Sequence, residues 1–193
     1  MPKIYFITHP DVIPNPQVPV PHWPLSPRGQ ERMVKMLLQP WVQDIRAVYC
    51  STEQKAIDGA EILAGYLSLG YTQVEALGEI DRSSTGFLNL EELQPVVEAF
   101  FTHPDESARG WETASAAQQR IVAAVETIIQ IDRSKGDIAI VSHGTVGALL
   151  LCKLKGIPIS INEKQPGTTG GHYICFEAQT MKLLHDWQRI DPE

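Results

Sequence analysis

The sequence predicts an α/β fold: a mostly parallel central sheet with helices on both faces, a three-layer sandwich made by one domain over residues 1–193. Three observations predict it. Short apolar runs alternate with amphipathic segments along the chain, the pattern of parallel strands joined by crossover helices. The run DIAIVS at 137–142 is apolar almost throughout, as a strand buried on both faces must be. The 193 residues are 43% hydrophobic, enough for one substantial core, and no repeat, low-complexity tract or linker divides them.

The first strand is KIYFITH, residues 3–9. The next stretch, PDVIPNPQVPVPHWPLSPRG (10–29), is too rich in proline for a helix or a central strand, since each proline fixes φ and removes a backbone donor. It is expected as an extended loop or flap. Ser26 then offers a helix N-cap, Pro27 suits the first turn, and Met33, Met36 and Leu37 supply the apolar stripe. AVYCS (47–51) is a second strand. TEQKAIDGAEILAGYL (52–67) is a helix with Ala56, Ala60, Leu63, Ala64 and Leu67 at helical spacing, and Gly70 is its expected stop. QVEAL (73–77) predicts a third strand leading into the polar segment GEIDRSSTGFLN (78–89). LEELQPVVEAFFTHP (90–104) and SAAQQRIVAAVETIIQID (115–132) follow as helices, the second with Ile121, Val122, Val125, Ile128 and Ile129 on its buried side. DIAIVSHG is the fourth strand and TVGALLLCKLKG (145–156) the helix after it. HYICFEAQ (172–179) and KLLHDWQ (182–188) close the chain as strands.

Composition narrows the function classes. A net charge of −7 argues against nucleic-acid binding, which runs on clustered Lys and Arg, but leaves room for a small basic pocket. Cys50, Cys152 and Cys175 are odd in number, widely spaced and set in apolar runs, so they read as buried free thiols and not as a disulfide framework or zinc site. No apolar stretch approaches the roughly 20 residues that span a bilayer, and the N-terminus has no basic-then-apolar leader. A cytoplasmic protein without membrane or nucleic-acid partners is expected.

In an open α/β sheet, ligands bind beyond the carboxyl ends of the strands. Three predicted strands end on chemically capable residues: Thr8-His9, Ser51-Thr52 and Ser142-His143-Gly144. If these strands are neighbours, two imidazoles meet in one crevice. The helix starting near Thr145 would aim backbone N–H groups there, which favours an anion. Cys50 does not open a cysteine-phosphatase loop, because Ala56 stands where that loop needs arginine, and no dinucleotide or Walker motif is present.

FITHP, LSPRGQERM, CSTEQKAIDGAEIL, GEIDRSSTGF, GWETASAAQQRIVAAV and IAIVSHGTVGALLL follow one another in the order and approximate spacing of a known family. From Ile4 to about Leu151 the chain resembles the histidine phosphatase (phosphoglycerate mutase-like) superfamily. That family usually begins with Arg-His-Gly, whereas this chain reads Thr8-His9-Pro10, and the second family arginine aligns with Lys55. The resemblance implies that His9 attacks phosphorus, that His143 donates to the phosphoryl group, and that Glu79 is the proton donor, with Asp81 its rival. It implies phosphate contacts from Thr8, Lys55, Arg82 and Gly144, with no metal and no cofactor. Arg28 and His22 are further sources of charge or donors if the proline-rich loop folds over the mouth, and His172 is a candidate pocket residue. The function implied is hydrolysis of a small phosphorylated substrate through phosphohistidine. A catalytically weakened phosphate-binding or regulatory module of the same fold is the alternative, favoured by Thr8 and Lys55. A phosphoglycerate mutase-like phosphotransferase is a weaker one, given the short segment between Glu79 and Trp111. Neither the substrate nor the oligomeric state has a readable code.

Overall fold

Alternation along the first strand, β1 (Lys3–Thr8), sends Ile4 and Phe6 to one side of a sheet and Tyr5 and Ile7 to the other, all buried. The computed structural model describes residues 1–191 and joins β1 to β2 (Ile45–Cys50), β3 (Thr72–Gln73), β4 (Asp137–Ser142), β5 (His172–Glu177) and β6 (Leu183–Arg189). The order across the sheet is β3-β2-β4-β1-β5-β6. The first four are mutually parallel, and β5 and β6 are added antiparallel at one side. β4 lies centrally with all six residues buried, as its unbroken apolar run requires.

Helices cover both faces. On one face α1 (Pro27–Met36) and α2 (Gln54–Leu67) pack Met33, Met36, Ala60 and Leu63 against Tyr5, Ile7, Ala139 and Val141. On the other, α3 (Leu90–Thr102), α4 (Ala114–Ile131) and α5 (Gly144–Lys155) bring Phe100, Ile121, Val125 and Leu149 onto Ile4, Phe6 and Ile140. The caps are local: Ser26 Oγ accepts from the Gly29 amide, and Asn89 and Glu92 form a reciprocal capping box. Among the described residues no helix is long and apolar enough to cross a membrane.

Two expectations are corrected. QVEAL is not a strand of its own length: β3 is Thr72–Gln73, and Glu75–Leu77 winds into a 3-10 turn. Its apolar residues Val74 and Leu77 are three apart, so only a turn brings both toward the core, and the Leu77 amide donates back to Val74 O. Helix α2 ends earlier than Gly70, with Ser68 itself adopting the left-handed cap conformation at φ 55°.

The proline-rich segment is an ordered flap. Val12 pairs with Leu25, the Ser26 amide donates to Asp11 O at 2.9 Å, and Trp23 Nε1 donates to the carbonyls of Asn15 and Val18.

Candidate active site

The register of three adjacent strands decides what meets. Thr8 pairs with Ser142 and Cys50 with Val141, so the strands finish level and deliver His9, Ser51 and His143 to one end of the sheet. The His9 and His143 rings lie edge to face, 5.2 Å between centroids. They form the floor of a cavity of about 1290 Å³. Its walls come from the flap (Val18, Val20, Trp23), the start of α2 (Glu53, Lys55) and the 75–87 segment.

His9 is held in one tautomer. Its Nδ1 lies 2.9 Å from Pro10 O, and a carbonyl only accepts, so Nδ1 carries the hydrogen and Nε2 keeps its lone pair. Burial, with the Lys55 charge beside it, lowers the His9 pKa to about 4, so the ring is neutral at pH 7. His143 is fully buried, which pushes it well below the usual imidazole value. Its Nε2 sits 2.6 Å from Ser51 Oγ and 3.5 Å from Glu53 Oε1, while among the described residues Nδ1 has no hydrogen-bond partner.

Glu53 was not anticipated from the sequence. It stands at the N-cap of α2 yet does not cap it. Its carboxylate turns inward, 2.5 Å from Lys55 Nζ, and accepts from the Glu79 amide at 2.8 Å. Burial alone would raise a carboxyl, but His143, Lys55 and the Glu79 amide outweigh it and hold Glu53 at about 2. At neutral pH the Lys55 ammonium is the charge that does this, since His143 is uncharged. Lys55 is buried and also donates to Val20 O in the flap at 2.9 Å.

Glu79 lies in the cavity wall, and its carboxylate spans the start of α5, accepting from Thr145 N at 3.0 Å and Val146 N at 3.1 Å. The helix-start amides expected to favour an anion therefore have one from the chain itself. Arg120 fixes this segment, donating to the carbonyls of Ala76, Gly78 and Glu79 and forming a two-pronged pair with Glu112. Arg82 and Asp81 also line the cavity, and among the described residues Arg82 forms no ion pair.

The structure thus brings His9, His143, Glu79, Lys55 and Arg82 together. Thr8 lies elsewhere: its buried hydroxyl donates to Gln165 Oε1 at 2.5 Å and accepts from the His172 amide at 3.0 Å, outside the cavity wall. Gly144 abuts the same glutamine, and a Cβ there would come within 2.2 Å of Gln165 Nε2. His172 is buried beside Thr8, His22 is exposed on the flap, and Arg28 points outward 3.7 Å from Asp11. The missed residues are Glu53, Ser51 as a partner of His143, and the Arg120–Glu112 pair. Three polar residues in a row after a strand, Ser51-Thr52-Glu53, were the available signal. Among the described residues no group of three or more His, Cys, Asp or Glu side chains is placed to hold a metal ion.

The family model of the histidine phosphatase superfamily (branch 1) matches residues 4–184. The chain belongs to the histidine phosphatase superfamily. No curated protein is a significant sequence match. Among solved structures, Bacillus stearothermophilus YhfR is 22% identical with a TM-score of 0.77, covering 100% of this chain and 98% of its own. A mycobacterial glucosyl-3-phosphoglycerate phosphatase superposes with a TM-score of 0.78 at 14% identity, over 98% of this chain and 99% of that one. A mutant phosphoserine phosphatase from Entamoeba histolytica, in complex with phosphoserine, gives 0.76 at 18% identity, over 96% of each chain. Identities this low speak for the fold.

Proposed function

We propose that this superfamily member hydrolyses small phosphomonoesters through a phosphohistidine on His9. The observation that carries the reading is the pinned imidazole: with Nδ1 tied to Pro10 O and the ring neutral, His9 Nε2 is a ready nucleophile on a cavity floor shared with His143. Nε2 forms a bond to phosphorus as the ester oxygen departs. Glu79 protonates that oxygen, then takes a proton from the water that cleaves the N–P bond. His143, Lys55 and Arg82 hold the equatorial oxygens, where transition-state charge gathers. Thr8 and Gly144 act through Gln165, fixing the ends of the strands that carry the two histidines.

Turnover of p-nitrophenyl phosphate tests this. The wild-type protein is expected to release p-nitrophenolate, and His9→Ala to do so at least about a thousandfold more slowly, the scale of losing a nucleophile. Equal rates would overturn the proposal.

A second reading has its own support. Lys55 is matched by Glu53, and Thr8 faces away from the cavity, so the phosphoryl clamp is weak in charge. A phosphate-binding or regulatory module needs no more. Binding of phosphate or vanadate without turnover of any phosphoester would select it.

A further inference from the structure

The cavity wall divides by chemistry. Charge comes from residues such as Lys55, Glu79 and Arg82, whereas Val18, Val20, Trp23 and Phe87 supply apolar surface. Trp23 and Phe87 pack on each other, with 5.6 Å between ring centroids and 52° between planes. Among the described residues neither ring joins the apolar core on either face of the sheet. The Trp23 N–H is spent on the carbonyls of Asn15 and Val18, so the indole shows the cavity only carbon. Phe87 is 43% exposed and follows a polar stretch, so the packing of the fold does not require a ring there. It is nonetheless held. The amides of Thr85 and Gly86 both donate to Arg82 O, Gly86 takes the positive φ of 62° that the turn needs, and Trp111 Nε1 donates to Thr85 Oγ1 at 2.9 Å. One turn thus carries Arg82 and Phe87 to the same cavity.

We propose that Trp23 and Phe87 form the subsite for the alcohol half of the substrate, and that this half is aromatic. The substrate class is the phosphomonoester of a phenol or of an arylmethyl alcohol. This rests on the phosphatase reading, since it names the leaving group of that reaction.

Two arguments favour an aromatic alcohol over a sugar or a polyol. A hydroxyl taken out of water needs a hydrogen-bond partner. The flap side of the wall offers few: Pro16, Pro19 and Pro21 have no N–H, and among the flap residues described there only Gln17 has a polar side chain besides the committed indole. A ring, in contrast, extends the Trp23–Phe87 pair by the same tilted contacts the two make with each other. It is also stiff, so it gives up little rotational freedom on binding. The cavity runs unbroken from this pair to His9 and His143, so a phosphoryl group at the histidines and its ring beside Phe87 share one space.

Calorimetric titration with two phosphonates tests the proposal. Methylphosphonate and benzylphosphonate carry the same head group, differ by one ring, and have a C–P bond that the proposed hydrolysis does not break. Wild-type protein is expected to bind benzylphosphonate at least about tenfold tighter, the scale of burying one ring against two others. Phe87→Ala is expected to cut that ratio at least about fivefold, since the ring loses half of its contact pair. Equal affinities in the wild type, no binding of benzylphosphonate, or a folded Phe87→Ala protein that keeps the full ratio would overturn the proposal. If circular dichroism shows that the variant does not fold, the wild-type comparison decides alone. None of these measurements needs turnover. A protein inert toward p-nitrophenyl phosphate but showing this ratio keeps the aromatic subsite and loses the hydrolase. An active hydrolase that binds the two phosphonates equally does the reverse.

Discussion

Two buried cations flank the end of the sheet that carries His9 and His143, and they are held in opposite ways. Arg32 on α1 has all three of its nitrogens engaged: Nη1 with Asp11 at 2.8 Å, Nε and Nη2 with Asp191, and Nη2 with the carbonyls of Gly170 and Gly171. The glycines are shaped to it. Both have positive φ, and a Cβ on Gly171 would come within 2.3 Å of Arg32 Nη2. Among the described residues Lys55 has one carboxylate and one carbonyl for its three hydrogens, and it borders the cavity. The first cation is saturated and walled off, so it is scaffold. The second keeps a free valence beside open space, so it can exchange partners.

Their substitutions should separate accordingly. Arg32→Met takes the buried partner from Asp11 and Asp191, leaving them only the more exposed Arg28 and Arg189, and is expected to cost about 3 kcal/mol of stability, measured by urea denaturation. A loss below about 1 kcal/mol would erase the distinction. Gly171 N donates to His9 O, so this scaffold also sets where His9 sits.

Acid sharpens the contrast. His143 is buried, His9 partly so, and both have lowered pKa values, so between about pH 6.5 and pH 4 the unfolded chain binds more protons than the folded one. Their contribution is full above about 6.5 and declines as pH falls, by about 1.4 kcal/mol per unit for each ring. At Asp191, burial raises the carboxyl, but the bonds from Arg32 and Arg189 outweigh it and lower it. That contribution is full above about 3.9 and is lost only below it. Stability against pH should therefore begin to fall near 6.5, and a folded His143→Asn protein should show a shallower slope there with the Asp191 loss unchanged.

Lys55→Met is expected to cost less stability than Arg32→Met, about 1–2 kcal/mol, because Glu53 keeps the Glu79 amide. It should weaken phosphate binding at least about tenfold by leaving Glu53 unmatched. The smallest effect is assigned to Thr8→Val: about 1 kcal/mol from the lost bonds to Gln165 and His172, with KM for p-nitrophenyl phosphate unchanged. A large rise in KM would put Thr8 back at the phosphate.

The same two regions mark where sequence reading succeeds. β1 and β4 were legible because their apolar runs end abruptly on His9 and His143, and parallel neighbours ending level bring such residues together. Arg32 was not, since it sits one position off the Met33–Met36 stripe and its partners lie 21 and 159 residues away. Glu53 escaped because i and i+2 do not share a helix face. It meets Lys55 only because it precedes the first turn of α2 and folds back. Thr8 was expected at the phosphate because it stands where the resemblance places an arginine, but the hydroxyl follows the pleat of β1 and finds Gln165, which comes from a loop with no pattern.

Seven prolines fall between residues 10 and 27, and the indole of Trp23 closes the segment on itself through two carbonyls. Such a rim has few conformations to surrender when a visitor arrives. It behaves as a fixed aperture, admitting molecules by outline before any charge or proton is exchanged below, so that fit at the entrance and reactivity at the floor are separately adjustable traits.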